Sequence, residues 1–239
     1  RRQRQMCIRD RVATIHSCID DTSVGVIILR GAGDKAFGSG ADISEFNSKR
    51  NNSNQARRYG EFMHGAMRAI RNCRHPVVVC IKGICVGGAL ELALVCDLRV
   101  AGVSSMFGVP INKLGLVMAF PEVESLVNLV GPAVALEILY EGRVFGAAEA
   151  KEKGLINKVV PDDKVDITVE ETVEHICAGA PLANRWHKKF VYKVADGTPG
   201  NRPLTEEEEA EGYACFDTED YREGVKAFLN KRIPDFKGK

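Results

Sequence analysis

The chain has 239 residues, enough for one large domain or one domain with an appendage. Apolar residues make up 45% of it, so it can bury a sizeable core, while a formal net charge of +1 supplies no field for nucleic acid or a membrane surface. No apolar run reaches the length of a membrane span; the eight cysteines form no C-x-x-C pair and the histidines show no ligand spacing, so reduced thiols in a cytoplasm-like compartment are expected, and no metal.

Residues 1–10 are basic and polar at their start, with no apolar signal core after them, and are set aside as a non-native or truncated leader. Val12, Ile15 and Ile19 follow at near-helical spacing, stopped by Asp20-Asp21. Val24 to Leu29 reads as a strand, and a glycine-rich loop runs from Gly31 to Ile43. Within it, Gly31-x-Gly33-x-x-Ala36 imitates a dinucleotide fingerprint. That fingerprint needs a helix to open at once, and Phe37-Gly38-Ser39-Gly40 will not start one. Residues 44–54 are polar and expected to be mobile. Gln55 to Asn72 predicts a helix with Phe62, Met63, Ala66, Met67 and Ile70 on its apolar side.

His75-Pro76 then opens Val77 to Ile81, a β-branched run that suits a strand covered on both faces. Gly87-Gly88 lets the backbone turn and lets a ligand approach the amides closely. The helix after it, Ala89 to Val95, is apolar almost all round, and its free N–H groups face any negative charge that develops there. Glu91 interrupts it, about one turn in and on the side of Gly88. A carboxylate so placed should have a raised pKa unless a cation offsets the burial. It is either an acid–base group beside an oxyanion hole or a structural partner of a cation such as Arg99.

Asp97 to Ala101 predicts another strand, followed by Met106 to Ile111 and a loop from Gly115 to Pro121. A helix is expected from Glu122 to Val130, broken at Gly131-Pro132 and resumed from Ala133 to Tyr140. Glu122 and Glu124 read as surface or helix-start charges, His64 as a helix-surface residue and Cys85 as core, with a proton-transfer role as the alternative for each. Ala147 to Lys153 predicts a short helix ended by Gly154, and Leu155 to Val160 a last strand-like segment. After Pro161 the pattern turns helical: Val165 to Gly179, Ala183 to Ala195, Thr205 to Phe216 and Asp220 to Lys231. The expected organisation is a core over 11–161 and a helical region over 162–239.

The segments Lys35 to Ile43, Pro76 to Asp97, Phe107-Gly108-Val109-Pro110, Leu114-Gly115-Leu116, Glu141-Gly142-Arg143, Gly154-Leu155-Ile156 and Asp217 to Gly224 resemble, in order and spacing, the crotonase family, the enoyl-CoA hydratase/isomerase superfamily. The likeness runs from about residue 11 to about residue 237, without the family's usual first β-hairpin. It implies an α/β fold: a spiral of ββα turns followed by a helical region used for trimers, often paired into hexamers. It implies an acyl-CoA thioester as substrate, with coenzyme A as part of the substrate and no separate cofactor. Carried over by position, the Ala41 and Gly88 N–H groups would hold the thioester carbonyl, with Gly87 in the second turn. Ala41-Asp42-Ile43-Ser44 would lie against the CoA moiety, and Phe228 and Lys231 match positions that help hold it.

One departure bears on mechanism. Family hydratases place a second glutamate directly after the proline that is here Pro110, and this chain has Ile111. Ala119 stands where some relatives carry an aspartate. Glu91 is the carboxylate that remains of that set, and Ile111, Met118 and Phe120 are expected to line an apolar acyl site. An enoyl-CoA hydratase or dehydratase is the expected activity. The alternatives are an isomerase, a decarboxylase or a CoA-binding subunit without turnover.

Overall fold

The computed structural model describes residues 14–15, 17–197 and 203–239. The expected leader and Val12 lie outside the described residues. The described residues divide into two compact units: those within 1–20, 28–73 and 77–170 form the first, and those within 21–27, 74–76 and 171–239 the second. The expected break at 161 is where the polypeptide turns helical; the units divide later, after Glu170.

In the first unit, the first six strands alternate between two sheets and a helix follows each pair. Strands β1 (Ile27–Arg30) and β2 (Ala36–Gly38) precede helices α1 (Phe46–Lys49) and α2 (Ser53–Arg71). Next come β3 (Val77–Ile81), β4 (Ile84–Val86) and α3 (Gly88–Leu94), then β5 (Leu98–Gly102), β6 (Met106–Gly108) and α4 (Phe120–Glu141). Strand β7 (Phe145–Gly146), helix α5 (Ala147–Glu152) and β8 (Lys158–Val160) complete the series. One sheet has the order β1-β3-β5-β8 and the other β2-β4-β6-β7. This is the ββα spiral expected from the resemblance. Strand β3 is buried along its whole length, as its uninterrupted β-branched run predicts. Its first residue is pinned: Val77 N–H donates to Asp97 Oδ2 at 2.6 Å and Asp97 N–H returns to Val77 O at 2.9 Å.

Between β3 and β4 the chain steps from one sheet to the other through Gly83. That residue has φ +63°, and a Cβ on it would lie 2.1 Å from Lys35 O, so only glycine permits this crossing. Arg99 is buried on β5 and donates to Leu155 O at 2.7 Å and Cys96 O at 2.6 Å. The structural pairing of Glu91 with Arg99 is therefore not what the fold builds.

The polar stretch after Ile43 contains a short 3-10 turn over Ile43–Glu45 and helix α1, and Asp42 caps the turn by accepting from Ser44 N–H and Oγ–H. One expectation changes here. Helix α4 starts at Phe120, not at Glu122. It is kinked where expected, at Gly131, whose φ of +74° and ψ of 166° lie outside the helical region. By length and composition alone α4 could cross a membrane. It is broken at Gly131, and Leu126, Ala135 and Ile138 are its buried apolar side chains.

The second unit carries the end of α6 (Val165–Cys177), then α7 (Pro181–Ala195), α8 (Glu206–Tyr213) and α9 (Glu219–Leu229). Thr205 and Glu208 form a reciprocal capping box at the start of α8, and Thr218 caps α9. Helix α9 ends in a Schellman turn: Arg232 N–H donates to Ala227 O at 3.0 Å and Lys231 N–H to Phe228 O at 3.1 Å. Glycine normally occupies the left-handed position of that turn. Here it is Lys231, at φ +52°.

Candidate active site

Two glycine turns from different ββα repeats meet beside α3. Gly87 takes φ +58° and donates its N–H to Gly108 O at 2.9 Å, which fixes the turn against the end of β6. Gly40 takes φ +80°, and a Cβ on it would lie 3.0 Å from Val86 O and 3.3 Å from Gly88 N. The backbones of 40–41 and 87–88 therefore abut with no room for a side chain between them. Neither the Ala41 N–H nor the Gly88 N–H donates a backbone hydrogen bond among the described residues.

A cavity of about 520 Å³ opens at this junction. Gly40, Ala41, Gly87, Gly88 and Glu91 line it. Glu91 is half-buried, and its Oε2 lies 3.5 Å from where a Cβ on Gly88 would stand. Burial lifts its carboxyl to about 7, the negative charge of Glu122 pushes the same way, and the Arg50 guanidinium opposes both. Arg50 lies 3.4 Å above the centre of the Tyr59 ring and 4.8 Å from that of Phe46.

Of the other expected site residues, Ile43 and Ile111 line the cavity, as does Met118. Ile111 is half-buried in a 3-10 segment over Pro110–Leu114, an apolar side chain on the cavity wall. Asp42 and Ser44 are occupied with each other in the cap described above. Phe120 does not line the cavity: it is 92% exposed on the first turn of α4. Phe228 and Lys231 are exposed in the second unit and are not part of this cavity wall. Cys85 is fully buried and burial raises its thiol pKa, so it is core.

Glu122 is in the first turn of α4, the helix start expected of it, but it and His64 face the cavity and not the surface. Glu122 is buried, 7% exposed, and its Oε1 lies 2.7 Å from His64 Nε2. Both line the same cavity as Glu91. Their pairing joins α2 to the first turn of α4 across a sequence gap, so nothing in the local pattern of either helix signals it. Arg50 was likewise hidden in a stretch that reads as loop.

Residues 4–239 match the family profile described as enoyl-CoA hydratase/isomerase. The chain belongs to the enoyl-CoA hydratase/isomerase family. It is 35% identical over 229 residues to a crotonyl-CoA hydratase of Syntrophomonas wolfei, covering 96% of this chain and 85% of that protein. It is 34% identical over 221 residues to a short-chain-enoyl-CoA hydratase of Clostridium acetobutylicum, covering 92% and 83%. Among solved structures, an enoyl-CoA hydratase/carnithine racemase from Magnetospirillum magneticum superimposes with a TM-score of 0.94 at 48% identity, covering 98% of this chain and 86% of that one. An enoyl-CoA hydratase from Bacillus anthracis does so with a TM-score of 0.87 at 30% identity, covering 97% and 88%.

Proposed function

We propose that the protein binds an acyl-CoA thioester, holds its carbonyl oxygen between the Ala41 and Gly88 N–H groups, and moves a proton with Glu91 in a hydratase- or dehydratase-like reaction. The observation that carries this reading is the carboxyl of Glu91 set against Gly88, at the place where two glycine turns abut. Addition of water to an α,β-unsaturated thioester sends the π electrons onto the carbonyl oxygen. Two fixed N–H donors stabilise that charge without reorganising, and losing one such donor typically costs about 10²–10³ in kcat. A carboxyl with a pKa of about 7 is suited to both giving and taking a proton near neutral pH.

Ile43 on the cavity wall, with Asp42 and Ser44 in the capped turn behind it, supports this loop as the CoA-facing side. A CoA-holding role for Phe228 and Lys231 belongs to the same proposal, with both side chains exposed. With this reading goes a homotrimer or hexamer, for which the exposed Phe228, Leu229 and Ile233 provide apolar surface to cover. Light scattering on the purified protein reads that state directly.

The test of function is turnover of crotonyl-CoA by wild type and Glu91→Gln. Loss of about 10²–10⁴ in kcat is expected for the variant. Equal turnover would remove Glu91 from the mechanism. Ile111 favours a second reading, a CoA-binding subunit without turnover, since an aliphatic side chain transfers no proton. Tight CoA binding with no reaction on enoyl-, malonyl- or β,γ-unsaturated CoA esters would establish it.

A further inference from the structure

We infer that Glu122, held by His64, is a second proton-transfer residue of this site and acts on the attacking water. The inference rests on the proposed hydratase-like reading and adds a residue to it.

The observations are geometric. Glu122 enters the cavity from the first turn of α4, and Glu91 enters it from α3. Glu122 is more than nine-tenths buried, which is costly for a carboxylate without compensation. Only half of that compensation is present. Oε1 is engaged by His64 Nε2 at 2.7 Å, while Oε2 is buried and has no hydrogen-bond partner. A buried acceptor left without a donor calls for one, and in a hydration site that donor is a water admitted beside it.

The other titratable groups on the cavity wall are Arg50, Arg57, Tyr59, Glu61, His64 and Glu91. Arg50 acts electrostatically on both Glu91 and Glu122, so the two acids share one counter-charge. In the tautomer with its proton on Nε2, His64 donates to Oε1 and leaves Oε2 as an acceptor. The side chain of His64 is 20% exposed and braced beside Gly60, where a Cβ would lie 3.4 Å from the ring. This makes His64 a positioning residue: it fixes the rotamer of Glu122 without touching the reacting carbons.

The step balances with two acids. A water O–H bond breaks and its proton passes to Glu122 Oε2. The water oxygen bonds to the β-carbon, and the C=C π pair moves onto the thioester oxygen between the two amides. Protonated Glu91 then delivers its proton to the α-carbon as the enolate collapses. The site ends with its proton on Glu122 instead of Glu91, and exchange with solvent restores it between turnovers. The raised carboxyl of Glu91 agrees with its starting as the acid.

The experiment compares wild type, Glu122→Gln, His64→Gln and Glu91→Gln on two reactions. One is hydration of crotonyl-CoA. The other is exchange of the α-protons of butyryl-CoA in D2O, which needs the amides and Glu91 but no attacking water. For Glu122→Gln, hydration is expected to fall about 10²-fold or more while α-proton exchange stays within about three-fold of wild type. His64→Gln should show the same split more weakly, about ten-fold in hydration. Glu91→Gln should lose both reactions. Hydration by Glu122→Gln within about three-fold of wild type overturns the inference and leaves the proposed function standing. Equal loss of both reactions in Glu122→Gln also overturns it, because a merely structural role would act that way. Wild type that neither hydrates nor exchanges overturns the proposed function, and this inference with it.

Discussion

Replacing Glu91 by glutamine should stabilise the protein, and the gain should grow with pH. In the folded state burial raises the Glu91 carboxyl from 4.5 to about 7. The folded protein therefore binds this proton more tightly than the unfolded chain does, so ionising Glu91 works against folding. Its contribution is harmless below the unfolded pKa and is lost progressively as pH rises through the folded one. At 1.36 kcal/mol per unit, a shift of this size costs about 3 kcal/mol above pH ~8 and about 1 kcal/mol at pH ~5. The glutamine side chain carries no charge and avoids the cost at every pH. The difference in Tm between variant and wild type should widen by about 4–8 °C from pH ~5 to pH ~8, using about 2–4 °C per kcal/mol for a chain of this size. Thermal melts by circular dichroism at several pH values measure it. A Tm difference that stays flat with pH, or narrows, would show that Glu91 is not held toward its neutral form, and the electrostatic account of the site would fail.

Further outcomes follow from the same geometry. Gly40→Ala places a methyl 3.0 Å from Val86 O in a left-handed backbone; it should cost about 1–2 kcal/mol in urea melts and lower kcat on crotonyl-CoA by wedging the two turns apart. Arg50→Met removes the cation that opposes the burial of Glu91, so the Glu91 carboxyl should rise further and the matching limb of the kcat–pH profile should move to higher pH. Lys231→Gly relieves the left-handed strain at the end of α9; it should raise stability by about 1 kcal/mol while weakening CoA binding, measured by calorimetry.

Much of the fold could be read because its signals are local. The uninterrupted apolar run of Val77–Ile81 announces a strand with no solvent face, and Gly131-Pro132 announces the break in α4. Positive-φ glycines mark turns that other residues reach only under strain, which is why Gly87 and Gly154 were legible in advance. The start of α4 was missed by two residues, since Phe120-Pro121 reads as the end of a loop until Ala119 is seen to be extended.

The sequence by itself determined that an acid sits one turn past a glycine pair, on a helix too apolar to lie on the surface. It also determined that the acid expected after Pro110 is an isoleucine. Both are statements about neighbours along the chain. Only the tertiary structure decided that Gly40 presses against Gly88, that Arg50 and not Arg99 faces Glu91, and that Glu122 turns inward to meet His64. These depend on how successive ββα repeats are stacked. The helix dipole favours a carboxylate in the first turn whichever face it takes, so this local preference could not tell which way Glu122 would turn.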